Sequence, residues 1–164
     1  MSDDPIKDAL KMMSYGFYSI TTHSGDEVNA MVANWVTQAS FTPRMVVVCI
    51  AKKAHSHSLI TSGKVFTINI FKKDDPEAIK HYSKPSARNP AKMSNAPPYT
   101  IAPETGCPVL QGAVAYVECK VTQIVETGGD HDLVVGEVVG AGVNEPKEVT
   151  EILTLPDIGW SYSG

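Results

Sequence analysis

Short apolar runs of strand character, each closed by glycine, proline or a polar turn, recur along this chain and leave little room for a helical bundle or for strand–helix alternation. Met45 to Ala51 is a continuous β-branched run after Pro43. Val65 to Phe71 sets Val65, Thr67, Asn69 and Phe71 against Phe66, Ile68 and Ile70, and both runs read as buried strands. Phe17 to Thr22 and the residues from Val28 onward form a hairpin pattern around Ser24, Gly25 and Asp26. Farther along, Ala115, Val117, Cys119 and Val121 alternate with Tyr116, Glu118, Lys120 and Thr122, and Thr127, Gly128 and Gly129 then turn the chain into Leu133 to Val139. Strands in this order, with no βαβ unit and no internal repeat, predict a mainly β fold, an antiparallel barrel with a few short helices.

The helices expected are three. One starts at Pro5 behind an Asp4 cap, carries Ile6, Ala9, Leu10 and Met13 on one face and ends near Gly16. A second runs from His57 to Ser62 and closes at Gly63, and a third opens at Asp75 and Pro76 and passes through Ile79 and Tyr82. The proline-rich stretch from Lys84 to Pro108 has no period and reads as a long loop, suited to a lid or a dimer arm.

The 164 residues fit one domain, spanning 1–164, that buries a core without disulfides. With 14 basic and 18 acidic residues the net charge is -4, which offers no general attraction for nucleic acid or an anionic membrane. No apolar run approaches the ~20 residues of a spanning helix, and the acidic N-terminus is unlike a signal peptide, so a cytoplasmic location is expected. Cys49 and Cys119 lie in apolar runs and read as small core residues, whereas Cys107, between Gly106 and Pro108, falls in a loop where a thiol can be exposed.

Three segments carry polar groups in patterns suited to a ligand. Asn29 to Pro43 mixes small residues, amides, hydroxyls and a tryptophan; small side chains let main-chain N–H groups approach a flat ligand, although an edge strand with a polar outer face has the same composition. After the Met45 strand, Lys52, Lys53, His55, Ser56 and Ser58 bring cations and hydroxyls to the mouth of a short helix, as a phosphate monoester needs and as a solvated basic turn also has. His131, between Asp130 and Asp132, enters a strand from a glycine turn, where it can face a ligand or simply cap the turn. The chain has no GxGxxG or Walker sequence, and His55 and His57 have no further ligand at a metal-binding spacing.

Taken in order, these segments resemble the flavin reductase-like family with the FMN-binding split-barrel fold, in the branch of flavoredoxin and the reductase domains of diflavin flavoproteins. The resemblance is carried by Tyr15 to Thr22; by Gly25, Asn29, Ala30, Met31, Ala33, Asn34, Trp35, Gln38, Ala39, Ser40, Phe41 and Pro43; and by Val48, Cys49, Ile50, Lys52, Lys53 and Ser58. It resumes through Ser62, Gly63, Phe66, Asn69 and Ile70 and ends with Gly129 to Asp132 and Val135 to Val138.

The resemblance implies that Ala33, Asn34, Trp35, Ser40 and Phe41 line the isoalloxazine and ribityl chain of FMN. It places Ile50, Ala51 and Lys52 at the pyrimidine edge, Lys53, Ser56 and Ser58 at the phosphate, and His131 on the nicotinamide side. It further implies hydride transfer from NADH or NADPH to flavin without a protein nucleophile, a homodimer, and a downstream electron acceptor protein. Two other readings go with the same fold: an FMN-holding electron carrier served by a protein partner, and a non-catalytic binding module. Arg44 stands where the family often has a second proline, and the tail after Val143 has no clear family signature.

Overall fold

The structure, a computed structural model, describes residues 3–161. Helix α1 (Pro5–Leu10) starts as expected, with the Asp4 carboxylate accepting from the Ile6 and Lys7 amides at 3.1 Å. It stops at Leu10 rather than near Gly16 and buries none of its residues; Ile6 is 71% and Met13 57% exposed. The apolar spacing marks a face, but among the described residues that face is left unburied.

Strands β1 (Tyr18–Ser24) and β2 (Glu27–Ala33) form the first hairpin, with Gly25 at φ 58° making a turn that a side chain would strain. β3 (Val36–Phe41) and β4 (Arg44–Ala51) follow as a second antiparallel pair. Helix α2 (His55–Gly63) then leads to β5 (Val65–Phe71). A Cβ on Gly63 would collide with the His23 carbonyl, so glycine is what lets α2 lie against β1, and Lys64 at φ 59° takes the left-handed cap.

Helix α3 (Glu77–Lys80) is a single turn. The proline-rich stretch includes only the short pair β6 (Thr100–Ile101) and β7 (Pro108–Val109). The long strands β8 (Ala113–Glu126) and β9 (His131–Val143) close the chain as a hairpin whose two register shifts, at Glu118/Cys119 and Val121/Gln123, increase its curl.

The seven-stranded sheet has the order β2-β1-β5-β8-β9-β4-β3. It wraps far enough to bring β2 back beside β4, giving an antiparallel barrel that is split between those strands. Ile20, Val48, Ile50, Phe66, Ile68, Cys119 and Val134 fill its interior. A second apolar cluster lies outside the barrel, where Phe17, Phe71, Ile79, Tyr82, Leu110, Leu153 and Leu155 join α3 and the C-terminal tail to the sheet.

Buried polar groups tie the far end of the proline-rich loop to the same wall. The Glu118 carboxylate accepts from the Glu104 and Thr105 amides and the Thr105 hydroxyl at 2.8–2.9 Å, while Asn69 accepts from the Leu110 amide and Thr21 donates to the Pro108 carbonyl. Residues 82–93, at the near end of the loop, form a strap that lines the opening beside β2 and the Ala51–Ser58 segment. Cys107 is fully buried in this packing, contrary to the exposure expected for its loop, and burial pushes its thiol pKa up. Among the described residues no helix is long and apolar enough to cross a membrane.

Candidate functional site

Two hollows adjoin where β2 and β4 separate. The first, about 610 Å³, is lined by Ala33, Asn34 and Trp35 from the β2–β3 connection, by Cys49 and Ala51 from β4, and by Asp130 and His131 at the start of β9. Its outer wall is Phe17 with Leu155 and Trp160 of the tail. The second, about 1050 Å³, lies between the Lys52–Ser58 segment and the strap. Met31, Val32 and Ala51 line both, so one elongated ligand can occupy the two hollows together.

Main-chain pairing fixes the first hollow. Ala51 pairs with His131, the Lys52 amide donates to the Asp130 carbonyl at 2.9 Å, and the Cys49 amide donates to the Trp35 carbonyl at 3.0 Å. The Trp35 and His131 rings consequently meet, centroids 4.9 Å apart and tilted by 58°. His131 Nδ1 donates to Asp130 Oδ1 at 2.7 Å, which leaves Nε2 without a hydrogen bond among the described residues. That bond and the histidine's charge hold the Asp130 carboxyl below the usual carboxylate range. Across the hollow, Phe17 and Trp160 meet edge to face at 5.6 Å. Small alanines between aromatic walls suit a flat ring system.

The second hollow is polar and cationic. Ala54 precedes α2 and has no side chain to cap its first turn, so the positive end of the helix lacks an internal acceptor. Ser56, only 1% exposed, accepts from Asn29 Nδ2 at 2.8 Å, and Asn29 Oδ1 accepts from the strap hydroxyl of Ser86 at 3.1 Å. The Ser56 hydroxyl hydrogen therefore remains available as a donor. His57 donates to Asp132 Oδ2 at 2.8 Å, with Lys52 Nζ 3.7 Å from Oδ1, pinning the first turn of α2 to β9. His55 is engaged by Glu27 at 2.6 Å, and Lys53 is exposed beside the hollow. Ser58 donates its hydroxyl to the His55 carbonyl at 2.8 Å, so the uncapped helix start, the free Ser56 hydroxyl and the lysines form the donor set for phosphate.

The structure thus brings Ala33, Asn34, Trp35, Ala51 and His131 to the first hollow and Lys52, Lys53, Ser56 and Ser58 to the second. It does not bring Ile50, Ser40 or Phe41 to either. Ile50 alternates with Cys49 and Ala51 and points into the barrel, fully buried. Ser40 and Phe41 lie at the far end of β3, paired with Met45 and Arg44, and Phe41 is 86% exposed. A strand advances ~3.3 Å per residue, so the block that touches the hollow at Trp35 has run well past it by Ser40.

Residue reading missed Phe17, Met31, Val32, Cys49, Leu155 and Trp160, all of which line the first hollow. The tail expected to carry no signature packs here, with the Leu153 amide bonded to the Phe71 carbonyl at 2.9 Å. The apolar spacing of Leu153, Leu155, Ile158 and Trp160 marks a packing segment but does not say what it packs on.

A split barrel with an aromatic hollow opening into a phosphate-type hollow defines a flavin-binding class of protein. Residues 10–156 match the family described as flavin reductase like domain, and the chain belongs to that family. It is 30% identical over 123 residues to an NADH-dependent FAD reductase of Streptomyces globisporus, a match covering 75% of this chain and 67% of that protein. It is 35% identical over 149 residues to putative diflavin flavoprotein A 5 of Nostoc, covering 90% of this chain but only 26% of the relative, so it spans about a quarter of the diflavin flavoprotein's length. Among solved structures, the NADH:FAD oxidoreductase SgcE6 of Streptomyces globisporus C-1027 matches with a TM-score of 0.75 at 27% identity, covering 87% of this chain and 86% of that one.

Proposed function

We propose that this chain, as a single domain, is an NAD(P)H-dependent flavin reductase whose flavin is FMN. The observation that carries this reading is the shared wall at Met31, Val32 and Ala51, which joins a flat aromatic hollow to a cationic, hydroxyl-lined one in the order of an isoalloxazine, a ribityl chain and a phosphate. Ala33, Asn34, Trp35 and Ala51 would hold the ring, and Lys53, Ser56 and Ser58 the phosphate. The strap lines the phosphate end opposite the donors of α2, a set of contacts that a terminal phosphate monoester satisfies. Bound flavin supplies the hydride-accepting chemistry. His131, oriented through Asp130, would position the carboxamide of NADH or NADPH against it, and the Trp160 side of the hollow would exclude water.

The site residues pass no proton or nucleophile to substrate in this reading; they set geometry and charge. The exposed apolar side chains Phe41, Ile101 and Val143, which are 86%, 57% and 67% accessible, support a homodimer that covers them. Reduced flavin would then serve a separate electron acceptor.

The purified chain is titrated with FMN, FAD and riboflavin, and NADH or NADPH is added without oxygen while the visible flavin absorption is followed. FMN binding followed by bleaching is the expected result. Bound flavin that neither nicotinamide bleaches would make the protein an electron carrier served by a protein donor. A chain that takes up no flavin would be a binding module of another kind. His131→Ala is expected to slow reduction at saturating nicotinamide while leaving FMN bound.

A further inference from the structure

Three charged side chains are buried among the described residues: Lys92, Glu118 and Asp132. Glu118 accepts three hydrogen bonds and Asp132 faces His57 and Lys52. Lys92 differs. It is 2% exposed, lines the larger hollow, and has no carboxylate within 4.0 Å; its ammonium donates to the Lys84 carbonyl at 3.1 Å and makes no other hydrogen bond among the described residues. An ammonium carries three donors, so two have no protein acceptor among the described residues.

The chain holds this costly arrangement in place deliberately. His81 Nε2 donates to the Lys92 carbonyl at 2.8 Å, which fixes the backbone beneath it. Ser86, six residues earlier in the strap, reaches Asn29 and through it Ser56 at the first turn of α2. Desolvation lowers the Lys92 pKa, as expected for a buried cation that has not met its counter-ion.

We propose that Lys92 is a phosphate ligand of the flavin, supplied by the strap from the side opposite Lys53 and α2. The inference rests on the flavin reading above and adds to it a residue from a different part of the chain. The phosphate neutralises a charge that the strap cannot neutralise itself, so phosphate recognition also secures the strap. Lys92 consequently distinguishes FMN from riboflavin, which has the same ring and ribityl chain but no phosphate.

The test is equilibrium titration of the full-length wild type, Lys92→Met and Lys92→Arg with FMN and with riboflavin, together with thermal unfolding of each flavin-free protein. Lys92→Met is expected to weaken FMN by about tenfold or more, the worth of a charged hydrogen bond. It should leave riboflavin affinity unchanged and the flavin-free protein no less stable than wild type; Lys92→Arg should keep most of the FMN affinity. Unchanged FMN affinity in Lys92→Met, or equal losses for FMN and riboflavin, would overturn the assignment while leaving the flavin site standing. Should Lys92→Met not fold, Lys92→Gln is read by the same ratio of FMN to riboflavin affinity. A wild-type protein that binds neither flavin would overturn the flavin reading and this inference with it.

Discussion

Removing the Asn29 side chain should separate the strap from the barrel and lower stability by a calculable amount. Asn29 is 4% exposed and makes two hydrogen bonds, to Ser56 at 2.8 Å and from Ser86 at 3.1 Å. In Asn29→Ala the Ser56 hydroxyl, 1% exposed, is stranded without its partner, at a cost of ~1–3 kcal/mol for an unsatisfied buried polar group. Ser86 is half-buried and can turn to water, so its lost bond adds at most ~1 kcal/mol. The sum is about 1–4 kcal/mol, which in a chain of this length lowers Tm by roughly 2–16 °C. Urea unfolding of the flavin-free protein measures the first quantity. Pairing Asn29→Ala with Ser86→Ala in a double-mutant cycle should then give a coupling of ~0.5–1 kcal/mol. A single mutant within ~0.5 kcal/mol of wild type, or a coupling of zero, would show that the strap is held by other contacts and refute the reasoning.

Lys53→Ala is expected to weaken FMN by ~1–2 kcal/mol in equilibrium titration, below the value for a fully buried charged pair because Lys53 is exposed to solvent. Iodoacetamide should label Cys49, which lines the ring hollow, before Cys107 and Cys119, both fully buried, the second with its pKa pushed up to about 12 by burial; saturating FMN should slow the Cys49 reaction, and labelling of Cys107 in the native protein would contradict the packing. Asp157 accepts from the Thr154 amide and hydroxyl at 2.8 Å, which depresses its pKa below the ordinary 3.8. Its contribution is complete above that value and is lost as the pH falls through the lower folded pKa, so Asp157→Asn should lower the urea midpoint near neutral pH and the gap should close as acidification protonates the folded carboxyl. A gap that stays constant with pH would remove Asp157 from the set of groups steadying the tail.

The barrel was legible because period-two patterning and turn chemistry act over a few residues. Ser24, Gly25 and Asp26 marked the first hairpin turn, and Thr127 to Gly129 the last. The helices read less well for a physical reason in each case. Asp4 and Pro5 specify where α1 begins, but its length depends on burial of its apolar face, and none of its residues is buried. At the end of α2, Gly63 signalled a terminus through its conformational freedom, whereas its work is steric, against the His23 carbonyl, and Lys64 adopts the left-handed turn instead. Cys107 was misplaced by the same logic: Gly106 and Pro108 correctly indicate a loop, but a loop held by Glu118, Thr105 and Asn69 is interior.

The site divides along a different line. Residues near the β2–β3 connection, the end of β4 and the start of β9 come together at one hollow because one ladder of pairings, from Met45 opposite Glu137 to Ala51 opposite His131, fixes where the segments meet. Ile50, Ser40 and Phe41 lie outside the two hollows because a resemblance transfers a block of residues, while a pleated strand presents only every second side chain and soon runs past the opening. Trp160 and Lys92 lay beyond both kinds of reasoning. Each reaches the site through long-range packing, the tail on Phe17 and Phe71 and the strap on Asn29 and His81. Their identities say nothing of that placement: a lysine among prolines and asparagines is ordinarily solvated, and only burial without a carboxylate partner gives Lys92 its meaning. The side chains that reach the two hollows from outside the barrel are therefore contributed by the chain's least patterned segments, which the barrel positions but does not encode.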